Sequence, residues 1–105
     1  MTRRDGERLA DIVDAITAIH SHLSRGDLSD GLIFDAVRVR LIEIGEAIKA
    51  ISDDLLATEP TQPWSAISRM RDHLAHHYFD TEHALVPGTV TNDLDEYTIA
   101  ALAAS

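Results

Sequence analysis

Apolar residues recur along this chain every three to four positions and never alternate in twos for long, a pattern that predicts helices and no strands. Leu9, Ile12, Val13, Ile16, Ile19 and Leu23 mark one face of a first helix over residues 4–23. Thr2 stands where it would cap that helix, with Asp5 three residues on. Gly26 is placed as its stop signal, and residues 24–29 make a turn. The strongest periodicity follows. Phe34, Val37, Leu41, Ile44, Ile48, Ile51 and Leu55 are spaced alternately three and four apart, a heptad seam suited to an antiparallel bundle. Ile33, Val39, Ile42 and Ala47 widen it, giving the helix apolar surface both for its own bundle and for a second copy. Gly45 sits inside this helix, where glycine costs about 1 kcal/mol relative to alanine. A close helix crossing at that point is the expected reason.

Residues 56–63, with Pro60 and Pro63, read as a loop. A third helix is expected to start at Pro63 or Trp64, since proline suits the first helical position. Its buried stripe is Trp64, Ile67, Met70 and Leu74, and it should fade near residues 77–80. A last stretch through Leu85, Val86, Val90, Leu94, Tyr97 and Leu102 is loosely helical, but Pro87-Gly88 falls within it. Proline inside a helix costs about 3 kcal/mol, so the last helix should either begin near Pro87 or kink there. The expectation is an all-α, antiparallel up-down bundle of four to five helices, forming a single domain over residues 1–105.

Composition sharpens this picture. The 105 residues include no cysteine, which excludes disulfides and thiolate metal sites and suits a cytoplasmic location. No apolar run approaches the ~20 residues needed to span a membrane, and the charged segment Met1 to Asp5 leads into no apolar signal region. Acidic residues outnumber basic ones 18 to 9, for a net charge of −9, which weighs against nucleic-acid binding. The charge is uneven. Every lysine and arginine lies at or before Arg71, while Asp72, Asp80, Glu82, Asp93, Asp95 and Glu96 follow with no base to offset them. This is a solvated acidic face, and it also suits a basic partner protein.

Chemistry concentrates in residues 69–80, where Arg69, Arg71, His73, His76, His77, Tyr78, Asp72 and Asp80 share twelve positions. Three readings compete. His73 and His77 are four apart on one helical face, a spacing that binds zinc, with Asp80 and His83 as the only nearby further ligands. Alternatively the cluster cleaves RNA without a metal. Histidine then supplies acid–base chemistry near neutrality, arginine faces the phosphate charge, and tyrosine positions a group by hydrogen bonding. The third reading is structural, with helix-end histidines and arginines bonding the last carbonyls.

Arg71-x4-His76-x-Tyr78 resembles the Arg-x4-His-x-Tyr signature of the HepT toxins, in the HEPN superfamily. Ile44-Gly45-Glu46-Ala47 resembles the family's Ile-Gly-Glu-Ala, and Pro63-Trp64 with Ile67, Met70 and Arg71 its lead-in to the signature. His76-His77-Tyr78-Phe79 is similar to the family's His-Gly-Tyr-Phe, and Asn92-Asp93-Leu94 to its closing Asn-Asp-Leu. The resemblance implies a homodimeric HEPN bundle acting as the toxin of a type VII toxin–antitoxin pair. It implies a metal-independent endoribonuclease without cofactor, cleaving RNA at a composite dimer site. It further implies silencing by a minimal nucleotidyltransferase antitoxin that transfers AMP to Tyr78. By the same resemblance His76 is the general acid/base, Arg71 the phosphate cation and Tyr78 a site residue and modification target, with His77, Asp72 and Glu46 in support. An added nucleotide at Tyr78 would block a phosphate site by volume and like charge.

Geometry bears on the dimer. On a regular helix Arg71 and His76 point about 140° apart at ~100° per residue, with ~7.5 Å of rise between them. They converge only if the helix breaks near His76 or if two copies share a cleft, which would also pool Arg38, Arg40 and Arg69. Two departures from the family stand out: Asp72, where relatives carry asparagine, and Pro87-Gly88 in place of Trp-Glu. A non-catalytic HEPN partner of a nucleotidyltransferase is the alternative that the net charge favours.

Overall fold

The computed structural model of the chain describes residues 3–76 and 79–104, and for residues 79–85 the helical backbone. Among the described residues there are helices and no strands: α1 (Arg3–Leu23), α2 (Gly31–Ala50), α3 (Asp53–Ala57), α4 (Trp64–Ala75), α5 (Phe79–Asn92) and α6 (Leu94–Ala104). The bundle centres on α2, which packs against α1 on one side and α4 on the other; α6 lies along α1, and α5 joins α2, α4 and α6. The seam explains this placement. Val37, Leu41 and Ile44 are wholly buried and Ile48 nearly so, meeting Ile12, Ile16 and Ile19 of α1 and Ile67, Met70 and Leu74 of α4 in one core.

The ends are set by local chemistry. The Asp30 side chain accepts the Leu32 N–H and opens α2, satisfying one orphan donor of the first turn. Helix α1 ends at Leu23, where Ser24 donates its N–H to the His20 carbonyl and its hydroxyl to that of Ser21. Gly26 lies beyond this end; a Cβ there would come 3.1 Å from Ile33 Cγ1, so it supplies room under the turn rather than a helix stop. The proposed Thr2 cap lies outside the described residues.

Three expectations change. The seam runs unbroken to Leu55, yet α2 stops at Ala50, because Ile51 is extended and Ser52 caps the short α3, with Asp53 and Asp54 in its first turn. Acidic residues are favoured there by the helix dipole. Leu55 stays buried across the break. Asp5, read as part of a cap, is instead buried and accepts both the Ser52 N–H at 3.0 Å and its hydroxyl at 2.8 Å, tying α1 to the α2–α3 junction. Finally, α5 runs through Pro87, and the break falls at Asp93. Burial of Val86 and Thr89 on either side of Pro87 holds that segment helical. On α6 Ala100, Ala101 and Ala104 are buried, while Leu102 is 60% exposed. The split last stretch and the short α3 account for the elements beyond the four to five expected.

Trp64 opens α4 from within the core. Its indole N–H donates to the carbonyls of Leu56 and Glu59, closing the loop before it. Met70 Sδ accepts weak hydrogen bonds from the hydroxyls of Thr89 and Tyr97, which tie α5 and α6 to α4. Burial, with Asp93 and Glu96 nearby, pushes the Tyr97 phenol up to about 12.

Gly45 has no room for a side chain. A Cβ added there would overlap the Arg71 Cβ and lie 2.6 Å from its Cγ and 3.3 Å from its Cα. The close crossing expected from the sequence is therefore the crossing of α2 over α4 at Arg71. Gly45→Ala should lose about 1–3 kcal/mol in chemical denaturation through overpacking, although alanine is the better helix former. Gly31→Ala, at the open start of α2 with no atom within 4 Å of the new methyl, should leave the midpoint unchanged or raise it. Equal midpoints for the two variants would show that the crossing is not tight.

Candidate functional site

The α2–α4 crossing places charged side chains from both helices side by side. With no Cβ at Gly45, the stem of Arg71 lies against α2 and its guanidinium reaches the next residue, Glu46. Arg71 Nε donates to Glu46 Oε1 at 2.7 Å, Nη2 donates to the same oxygen, and Nη1 donates to Asp72 Oδ1 at 3.2 Å. Asp72 Oδ1 also accepts Nζ of Lys49, one turn on from Glu46 along α2, at 2.5 Å. The result is a surface chain of alternating charges, Glu46–Arg71–Asp72–Lys49. Hydrogen bonding to Glu46 and then Asp72 raises the Arg71 pKa above its ordinary value. The Lys49 ammonium, with Arg71 beside it, holds the Asp72 carboxyl below the usual range.

His76 sits at the end of α4. It is the C-cap, with φ −85° and ψ 0°, and its N–H donates to the carbonyls of Asp72 and Leu74. The helix thus ends just short of the expected fade at residues 77–80, and because the His76 N–H still bonds the carbonyl four residues back, His76 keeps its helical offset from Arg71. Arg38 of α2 donates through Nη2 to the Leu74 carbonyl at 2.6 Å, a cation at the negative end of a helix. His73 and His76 are both exposed. His77 and Tyr78 lie outside the described residues, as do the side chains of Asp80 and His83. Among the described residues no three His, Asp or Glu side chains gather as metal ligands.

Two grooves flank the charged chain. One, of about 760 Å³, runs between α1 and α2, with Val39, Ile42 and Ala47 among its apolar lining and Glu46 at its rim. The other, of about 440 Å³, lies between the end of α2 and α4 and is lined by Lys49, Ser65, Ser68, Arg69 and Asp72, with Trp64 among its apolar lining. The structure thus joins Glu46, Arg71 and Asp72 through ion pairs. It redistributes the expected pool of cations: Arg38 is engaged at Leu74, and Arg40 bonds Glu43 at 3.1 Å and His22 at 3.3 Å. Only Arg69 of those three lines the groove beside Asp72. Sequence reasoning missed Lys49, whose signal was its place three residues after Glu46 on the helix that carries Gly45.

A family model described as Ribonuclease HepT-like matches residues 9–103. The chain belongs to the HepT-like ribonuclease family. A probable ribonuclease HepT of Thermococcus cleftensis is 34% identical over 98 residues, 90% of this chain and 89% of that one. A Methanocaldococcus jannaschii protein bearing an RNase name is 38% identical over 55 residues, 51% of this chain and 46% of its own. One from Caldanaerobacter subterraneus, similarly named, is 34% identical over 59 residues, 55% and 53% of the two chains. This HepT-like chain thus spans about half the length of the latter two relatives and most of the first. No solved structure matches it significantly. The all-α HEPN class expected from the sequence is the class observed, and no helix among the described residues is long and apolar enough to cross a membrane.

The charged chain makes stability pH-dependent with a definite sign. A carboxyl whose pKa is depressed by folding contributes stability above its unfolded value, here near the ordinary 3.8, and loses it as pH falls through the lower folded value. Asp27, lowered by the Ser29 hydroxyl and then its N–H, adds in the same direction. The denaturation midpoint should therefore fall on acidification below about pH 4, and Asp72→Asn should make that fall shallower. Parallel pH profiles for the two proteins would remove Asp72 from the account.

Proposed function

We propose that the protein is a toxin of a two-component pair in the cytoplasm: a metal-independent endoribonuclease whose site uses Arg71, His76 and Tyr78 from two copies of the chain. Membership of the HepT-like ribonuclease family supports the class of reaction. The observation that carries the assignment to this site is the fixing of Arg71 by Glu46 on a helix pair packed through Gly45, with His76 at the end of the same helix. A preorganised cation is what a developing phosphorane charge requires.

In the proposed reaction a 2′-hydroxyl loses its proton to a base and attacks the adjacent phosphorus. The 5′-oxygen departs with a proton from an acid, leaving a 2′,3′-cyclic phosphate and a 5′-hydroxyl. His76 exchanges one of these protons, Arg71 bonds the phosphate oxygens, and Tyr78 donates to the phosphate or orients the base. The second copy supports convergence. The open α1–α2 groove has an apolar lining that includes Val39, which is 47% exposed, and it carries Glu46 on its rim. A chain seated there would lie beside the Arg71 ion pair. Silencing by a nucleotidyltransferase would transfer AMP from ATP to the Tyr78 hydroxyl with release of pyrophosphate, adding a negative charge and a large group to that side chain.

One observation favours the alternative, a non-catalytic HEPN partner of a nucleotidyltransferase: Arg71 is already paired with two carboxylates on a chain of net charge −9. The readings separate in an RNA cleavage assay of unmodified protein in EDTA. Wild type should cleave and leave 2′,3′-cyclic ends. Arg71→Ala should lose about 10²–10³ in rate and His76→Ala about 10²–10⁴, with circular dichroism unchanged. Absence of cleavage by protein shown by mass spectrometry to be unmodified at Tyr78 would transfer the assignment to the partner reading, and cleavage restored only by added zinc would transfer it to the metal reading.

A further inference from the structure

Lys49 has no part in the reaction just proposed, yet it is bound into the same chain of charges. Its Nζ and Arg71 Nη1 donate to one and the same oxygen, Asp72 Oδ1. An anionic oxygen shared by a lysine from one helix and an arginine from the next is in the position a phosphate oxygen takes between two cations. From there the α2–α4 groove leads away from Arg71, lined on its polar side by Lys49, Arg69, Ser65 and Ser68. Two cations and two hydroxyl groups on one narrow groove form the kind of surface that holds a nucleic-acid backbone. Asp53 also lines it, as a negative charge at the start of the short α3. The larger α1–α2 groove is unsuited to a polyanion, since Asp11, Asp14, Glu43 and Glu46 line it against Arg8 and Arg40.

We propose that the α2–α4 groove is a second phosphate subsite for single-stranded RNA, in which Lys49 and Arg69 hold the phosphate next to the one at Arg71, and Asp72 is the internal anion that RNA displaces. This rests on the ribonuclease reading. Lys49 suits the role because its ammonium is a point charge on a flexible stem, able to turn from Asp72 to an incoming phosphate. Asp72, held in its charged form by its two cations, is a standing competitor for both. Along this groove Lys49 and Arg69 are matched by Asp53 and Asp72, an even balance, whereas Asp11, Asp14, Glu43 and Glu46 outnumber Arg8 and Arg40 in the α1–α2 groove.

The test uses the full, unmodified chain with His76→Ala as the non-cleaving background, and follows binding of a fluorescent RNA hexanucleotide by anisotropy over a salt series. Lys49→Gln and Arg69→Gln should each weaken binding severalfold and reduce the slope of log K against log salt by about 0.7 per lost phosphate contact. Lys49→Arg should restore most of the affinity, and Asp72→Asn should tighten binding. The loss in Lys49→Gln should be smaller on a dinucleoside monophosphate, which has one phosphate, a dependence on strand length that a merely structural ion pair would not give. An unchanged slope in the Lys49→Gln, Arg69→Gln double variant, with wild type still cleaving RNA, overturns the subsite alone. Absence of both binding and cleavage in the parent proteins overturns the subsite together with the ribonuclease reading.

Discussion

The approach of α2 to α4 at Gly45 is the constraint on which the site depends. Where a side chain would otherwise stand on α2, the Cβ and Cγ of Arg71 stand instead. The consequence is both steric and electrostatic. The arginine stem is confined by backbone on one side, and its head is delivered to Glu46, the residue that follows the glycine. A long, rotamer-rich side chain loses much of its freedom at the moment the helices pack rather than when a ligand binds, and an ordering cost already met in folding is absent from binding. The rest of the fold serves this crossing. The wholly buried seam of α2 fixes its register, Trp64 closes the loop that launches α4, and Arg38 bonds a carbonyl at the end of α4.

The parts of this arrangement that were legible in the sequence are those governed by periodicity. The seam on α2, the stripe of Trp64, Ile67, Met70 and Leu74, and the need for a close crossing at Gly45 all follow from spacing and glycine cost, and each is present in the structure. What was not legible depended on competition between local signals. Ser52-Asp53-Asp54 is an N-terminal capping signal that sat within an uninterrupted heptad pattern, and the pattern masked it. Pro87 carries a local penalty that buried neighbours offset, whereas the true break at Asp93 had no proline to mark it. Asp5 resembled an exposed cap residue because its partner, Ser52, is 47 positions away in the chain. The site shows the same division. Glu46, Arg71 and Asp72 were named from resemblance and are joined in the structure, while Lys49, which only the fold brings to Asp72, was not.

Charge distribution bears on the tension between an acidic chain and the proposed RNA substrate. Arg38 and Arg40, counted from sequence toward a basic cleft, are engaged at a helix end and in a surface pair. That leaves Arg71, Lys49 and Arg69 along α4 and the end of α2 as the cations of the relevant surface. Exposed charges more than about a Debye length apart are largely screened at physiological salt, so the acids that weigh most on a phosphate at the groove are those that line it, Asp53 and Asp72.

The two carboxylates on Arg71 at first look like an obstacle to phosphate chemistry, and on the proposed reading they have a catalytic consequence. Catalysis requires interactions stronger in the transition state than in the ground state. A phosphodiester carries one negative charge, and the phosphorane-like transition state carries more. If Arg71 were unpaired, it would bind the ground state tightly and much of its attraction would go to uniform binding. Paired with Glu46 and Asp72, it presents a nearly neutral surface to a singly charged phosphodiester. The approaching backbone displaces Asp72, while Glu46 keeps the guanidinium partly neutralised, so the attraction is weak for the singly charged diester and grows as charge accumulates on the phosphate oxygens. Glu46 bonds Nε and Nη2 on one side of the guanidinium, and Asp72 bonds Nη1 on the other. Asp72, shared with a flexible lysine, is the more readily released of the two. The same pairing then orients the arginine through Glu46 and reserves its Asp72 side for the oxygen on which charge develops.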